Sequence, residues 1–320
     1  MNYQNQMRPS VTILVLAIYV ILTVFTSNAI AERFTVRVIH FVPNGSDTPE
    51  NIDENIDEAV KTAQVFFSDE MQKYGHGAKT FKLEPSTNGN VVIHRINGKL
   101  PAGFYKDFSD LEPELSHRFF LGSRNIELIF FEGDDVVDGV DKLTKACGRA
   151  ADNPFGIQNS GMAVVYNGHC LNPTVIAHEL GHTLGFGHSK QHASHLMSMF
   201  ITADDPIDKV ILDEWEAGWL NLNPYFNKTP DNPRAPEVTS ELTNFDKNNI
   251  KALLSSLDRK GFAYVQCLDR FHTLLDYRDA TDNFAPFQEF ILPKTIMQHG
   301  YIIFKVMNAN GNYTEVLPFI

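Results

Sequence analysis

The eleven residues His178-Glu179-Leu180-Gly181-His182-Thr183-Leu184-Gly185-Phe186-Gly187-His188 constrain this chain more than any other segment. His178 and His182 lie four apart, so on a helix both imidazoles project from one face and can bind one ion. The helix is expected to begin near Asn172-Pro173, and the apolar Val175, Ile176 and Leu180 imply that it is buried. Glu179, next to the first histidine, places a carboxylate within reach of a water in an open coordination position. Gly185 has no Cβ and can take the left-handed conformation that ends a helix and turns the chain back. That return lets His188 supply a third imidazole. Three nitrogen donors with a fourth position left to water describe a catalytic zinc site, because structural sites usually have four protein ligands.

These residues match H-E-x-x-H-x-x-G-x-x-H at every fixed position, and the motif resembles that of the metzincin clan of zinc endopeptidases. The resemblance covers roughly residues 34–222. It implies a methionine in a tight turn below the metal, assigned to Met197 in His195-Leu196-Met197-Ser198-Met199, with Met199 as the alternative. Ser189, directly after the third histidine, is also similar to matrixins. No tyrosine stands two residues after Met197, so the extra tyrosine ligand of some members is not implied. The chain looks like a divergent bacterial-type metzincin rather than a matrixin. The resemblance further implies a Zn2+ cofactor, a protein or peptide substrate, and Glu179 as the general base. Met162–Tyr166 would be the edge strand that pairs with extended substrate. Clan relatives often bind calcium, and Asp134, Asp135, Asp138 and Asp141 are acidic enough for a Ca2+ loop. They do not follow EF-hand spacing, and a solvated acidic loop is the preferred reading.

The organisation around the motif follows from periodicity. Arg8, the apolar run Val11–Thr26 and Ala29-Ile30-Ala31 read as a signal peptide over residues 1–31, cleaved before Glu32. The protein would then be secreted, periplasmic or extracellular, without stable membrane insertion; an uncleaved segment would instead leave it anchored. Phe34–Val42 reads as a buried strand. Thr48-Pro49 is an N-cap candidate, and Ile52, Ile56, Ala59, Val60, Ala63, Phe67, Met71 and Tyr74 form one helical face closed by Gly75. Residues 79–83, 90–97, 126–131 and 162–166 read as strands, 110–121 as a helix, and 206–220 as a helix carrying Trp215 and Trp219. Prolines 230, 233 and 236 mark a linker over 227–236. Beyond it, short alternating runs suggest a small β-sandwich over 237–320. The expected fold class is α+β: the resemblance implies a metzincin-like domain over 32–226, built on a twisted mixed sheet with its active-site helix, and the pattern beyond the linker adds an all-β sandwich domain.

Composition narrows the function classes. A net charge of −12 argues against nucleic acid as a partner. Three cysteines are too few for a disulfide scaffold; Cys147 and Cys170 are candidates for one bridge before the motif, and Cys267 reads as a buried thiol. His169, His192 and His195 read as solvated loop histidines, and Asp204, Asp205 and Asp208 as charges at a helix N-terminus. Two other functions stay open: a zinc-containing binding protein that does not cleave, and a surface- or glycan-binding protein acting through the C-terminal β domain.

Overall fold

The computed structural model describes residues 34–119, 121, 124–133, 147–153, 159–190, 194–227, 235–257 and 260–318. The expected signal peptide, His192 and the aspartates at 134, 135, 138 and 141 lie outside these. Among the described residues no helix is long and apolar enough to cross a membrane.

Residues from Phe34 onward form one compact unit. Its first half is a five-stranded sheet in the order β2-β1-β3-β5-β4, from β1 (Val36–Val42), β2 (Ile93–Asn97), β3 (Ile126–Phe131), β4 (Gly148–Asp152) and β5 (Gly161–Tyr166). The first four in this order run parallel, whereas β4 is antiparallel to β5. Both faces of β3 and β5 are covered, so these strands read as unbroken apolar runs. On one face, Val36, Val38, Leu128 and Phe130 pack against α1 (Ile52–Lys73), α3 (Pro173–Thr183) and α4 (Glu214–Leu222). On the other, Ile39, Phe41, Ile129 and Phe131 pack against α2 (Phe108–Ser116).

The second half holds a three-stranded sheet, β10-β7-β6, and a four-stranded sheet, β12-β11-β8-β9. Their strands are β6 (Val238–Asn244), β7 (Asn249–Ser256), β8 (Phe262–Asp269), β9 (Leu274–Asp279), β10 (Phe287–Pro293), β11 (Ile302–Asn308) and β12 (Tyr313–Val316). Alternating residues give the four-stranded sheet two jobs. Val265, Cys267, Phe304 and Val306 meet Leu254 and Phe290 of the other sheet. Tyr264, Met307 and Tyr313 point the opposite way and join the core around α3 and α4.

Several sequence expectations are corrected. Met162–Tyr166 is not an edge strand: β5 lies between β3 and β4. The edge is β4, whose Gly-Arg-Ala-Ala-Asp sequence has little β-propensity and is held by its ladder to β5. The segment 206–220 is not one helix. A short 3-10 turn covers Ile207–Lys209, and α4 starts only at Glu214, where Asp213 and Glu216 form a capping box over its first turn. Asp205 accordingly accepts the Thr202 amide in a turn instead of capping a helix. Asn51, not Thr48, is the N-cap of α1. The helix expected over 110–121 spans Phe108–Ser116. Within 79–83 only Leu83 bridges β1.

Candidate active site

The helix α3 begins where Pro173 occupies its first turn and the Asn172 Oδ1 accepts the Thr174 N–H at 2.7 Å. It runs through the core with Val175, Ile176, Ala177 and Leu180 buried. At its far end Gly185 takes a φ of +105°, and the Phe186 N–H returns to the Gly181 carbonyl at 3.0 Å. A Cβ on Gly185 would stand 2.9 Å from the Trp219 ring, so α4 closes on this turn as well. The Trp219 indole N–H donates to the Leu184 carbonyl at 2.9 Å, satisfying a helix-end acceptor.

The structure brings His178, His182 and His188 together. The His182 Nε2 lies 3.2 Å from the His178 Nε2 and 3.1 Å from the His188 Nε2. Two of the rings are fixed from behind. The His178 Nδ1 donates to the Leu196 carbonyl at 2.6 Å, and the His182 Nδ1 to the Phe186 carbonyl at 3.0 Å. Each Nδ1 thus carries its proton, and each Nε2 presents a lone pair to the common centre. Burial pushes the His178 pKa down to about 4 and that of His182 well below the ordinary range; it lowers His188 too. Three neutral imidazoles aiming lone pairs at one point repel one another unless a cation sits there. A tetrahedral zinc ion with bonds of about 2.0–2.1 Å would hold its nitrogens roughly 3.3 Å apart, close to the spacing observed. The donor set therefore fits zinc.

The Glu179 carboxyl lies beneath Gly148, the first residue of β4. A Cβ on Gly148 would lie 2.6 Å from the Glu179 Oε1. Burial drives this carboxyl up to about 8. Cys147, just before Gly148, is disulfide-bonded to Cys170, which ties the start of the edge strand to the loop before α3. Exposed His169 lies beside this bridge. Cys267 is a buried free thiol within the sandwich.

Met197 sits in a turn closed by the Ser198 N–H on the His195 carbonyl at 2.9 Å. Its Sδ packs onto α3 at Gly181, where any Cβ would overlap it. The turn is also tied to the third histidine's neighbour, with Ser189 N–H donating to the Met197 carbonyl at 2.6 Å. Met199, by contrast, is half exposed.

His195 is not a solvated loop histidine; it is 2% exposed. Its Nε2 lies 3.1 Å from Glu216 and 3.3 Å from Asp213. Burial opposes a charge on this ring, but the two carboxylates pull its pKa up toward about 10. The Met197 N–H aims at Nδ1 from 3.2 Å and requires a bare nitrogen there. Geometry therefore favours the Nε2–H tautomer, with Nε2 facing Asp213 and Glu216. An Nε2 that carries the ring's proton has no lone pair for a metal, so this cluster is a tether rather than a second ion site. The Asp213-x-x-Glu216 spacing signals a capping box, but nothing local in the sequence names His195 as its partner. Nothing local in the sequence marks Lys305 of β11 either. It is 2% exposed and pairs with Asp152 of β4 at 2.7 Å, joining the second half to the edge strand.

No protein-family model matches this chain, and no curated protein matches it in sequence. Solved structures do share its fold. OgpA from Akkermansia muciniphila, in a catalytically inactive form bound to an O-glycopeptide (glycodrosocin) substrate, is similar with a TM-score of 0.57 at 16% identity. That likeness covers 90% of this chain and 93% of the other. Wild-type OgpA gives TM-scores of 0.55 in two crystal forms, at 17% and 16% identity. These cover 90% and 91% of this chain against 94% and 95% of theirs. The likeness therefore spans both halves of the unit.

Proposed function

We propose that this chain is a secreted, metzincin-like zinc endopeptidase and that its substrates are O-glycosylated peptides. The observation that carries the reading is the convergence of three imidazoles, with the His182 Nε2 3.2 Å from that of His178 and 3.1 Å from that of His188, one residue from a buried carboxyl. The glycopeptide class rests on the fold shared with OgpA, whose solved complex holds such a substrate.

In this reading His178, His182 and His188 hold the metal. Bound zinc supplies Lewis acidity and a water of lowered pKa. Glu179 accepts the proton of the attacking water and passes it to the departing amine as the C–N bond breaks. Its dry surroundings make its ionised form a strong base. Leu196 and Phe186 hold the His178 and His182 rings in the ligating tautomer. The free side of β4, the edge strand, offers backbone groups to an extended peptide. Residues 1–31 act as the export signal, 32–226 as the catalytic domain, 227–236 as the linker and 237–320 as the sandwich.

Glu179→Ala tests the reading. The variant should keep stoichiometric zinc and lose hydrolysis of peptides and O-glycopeptides. Turnover at the wild-type rate would refute the base assignment. The two non-cleaving alternatives require that the wild type be equally inert.

A further inference from the structure

The third histidine is not held by the helix that carries the first two. Both of its backbone groups bond to the β8–β9 hairpin, 80 or more residues further along the chain. The His188 N–H donates to the His272 carbonyl at 2.8 Å, and the Leu274 N–H donates to the His188 carbonyl at 2.7 Å. The approach is close, because a Cβ on Gly187 would overlap the His272 carbonyl oxygen. A second strand residue reaches the same loop: the Gln266 Nε2 of β8 donates to the Gly185 carbonyl at 3.1 Å, in a buried setting.

The hairpin tip is built to hold this carbonyl in place. The Asp269 Oδ1 accepts the N–H groups of Phe271 and Thr273, each at 2.9 Å. The His272 N–H donates to the Asp269 carbonyl, and the Asp269 N–H to the Thr273 carbonyl, both at 2.9 Å. His272 itself takes a φ of +57°, a left-handed conformation that a β-carbon-bearing residue keeps only where its surroundings enforce it. Asp269 is thus the acceptor around which the tip closes.

We infer that the Asp269–Leu274 hairpin of the C-terminal β half is a positioning element of the metal centre, with Asp269 fixing the turn whose His272 carbonyl and Leu274 amide set the place of His188. The inference rests on the three-histidine centre proposed above and goes beyond it, because it gives the β half a part in metal binding. Partners behind a metal ligand commonly affect affinity by about 10- to 100-fold when removed.

The molecule contains its own control. In the β6–β7 hairpin, on the far sheet, the Asp246 Oδ1 accepts the Asn248 and Asn249 N–H groups at 2.7 and 2.8 Å. That turn is alike in kind but touches no part of the metal centre. The full chain is stripped with a chelator, and zinc affinity is measured by competition with a chromophoric chelator, alongside the melting temperature of the stripped protein. Asp269→Ala should weaken zinc binding by about 10-fold or more. Asp269→Asn, which keeps the accepting Oδ1, should restore it. Asp246→Ala should lower the melting temperature without changing zinc affinity. If His188→Ala weakens zinc but Asp269→Ala leaves it at the wild-type value, the hairpin has no positioning role. If His188→Ala also leaves zinc unchanged, the three-histidine centre itself is wrong and this inference falls with it.

Discussion

Gly148→Ala is a small change with a sharp expected effect. Its Cβ would arrive 2.6 Å from the Glu179 Oε1, 2.7 Å from Cγ and 2.8 Å from Cδ, where ordinary contact begins at 3.4 Å. The backbone of α3 has no room to yield, since Ala177 and Leu180 are fully buried on either side. The carboxylate must therefore retreat by about 0.8 Å, and a misplacement of roughly 1 Å can reduce a rate by about 100-fold. Stability should fall only modestly. The overlap costs about 1–3 kcal/mol as overpacking, offset in part by the roughly 0.4–1 kcal/mol that alanine gains over glycine through the unfolded chain. The histidines are untouched, so zinc content should stay stoichiometric. The expected result is a kcat/KM lower by about 10- to 100-fold at unchanged zinc content, with a melting temperature a few degrees lower and the protein still folded at the assay temperature. Gly103→Ala, where nothing lies within 4 Å of the added carbon, is the matched control. Wild-type kcat/KM in Gly148→Ala would show that the position of Glu179 does not matter to the chemistry.

Three further outcomes follow from the same contacts. Lys305→Met strips a buried charge from Asp152 and Glu315 and should cost about 3–5 kcal/mol by denaturant titration, with Lys305→Met/Asp152→Asn recovering part of it. His195→Ala releases the turn that carries the Leu196 carbonyl from Asp213 and Glu216; zinc affinity should fall by about 10-fold, read by chelator competition. Glu127, buried beside Arg37, is pushed up to about 7 by burial. An acid with a raised folded pKa costs no stability below its ordinary value near 4.5. The cost grows between pH 4.5 and 7 as the unfolded form ionises first, and is constant above. Glu127→Gln should therefore flatten that stretch of the stability profile and gain most above pH 7; an unchanged profile would rule out the burial effect.

What the sequence made legible was local. The three imidazoles meet because a four-residue helical step and one left-handed glycine are both encoded within eleven residues. Strands β1, β3 and β5 are buried on both faces, so their apolar runs stand out. What was not legible depends on distant partners. β4 has no strand-like composition, and only its ladder to β5 and the Lys305 pair reveal it. With β4 hidden in this way, the apolar run of β5 looks like the last strand of the sheet. His195 looked like a surface residue because Asp213 and Glu216 close over it from another element. The helix expected from residue 206 starts only at Glu214, because the capping box decides where the backbone turns helical. The hold on His188 comes from a hairpin that no motif near the histidines announces.

The central claim is that three histidines hold a metal on which peptide cleavage depends. The direct test mixes purified protein with paired peptides, one O-glycosylated and one bare, and maps the products by mass spectrometry. It is run on the zinc-loaded, chelator-stripped and zinc-restored protein. Cleavage of the glycosylated peptide that disappears on stripping and returns with one equivalent of zinc is the predicted result. Cleavage that survives stripping, or intact peptides at full zinc loading, would contradict it.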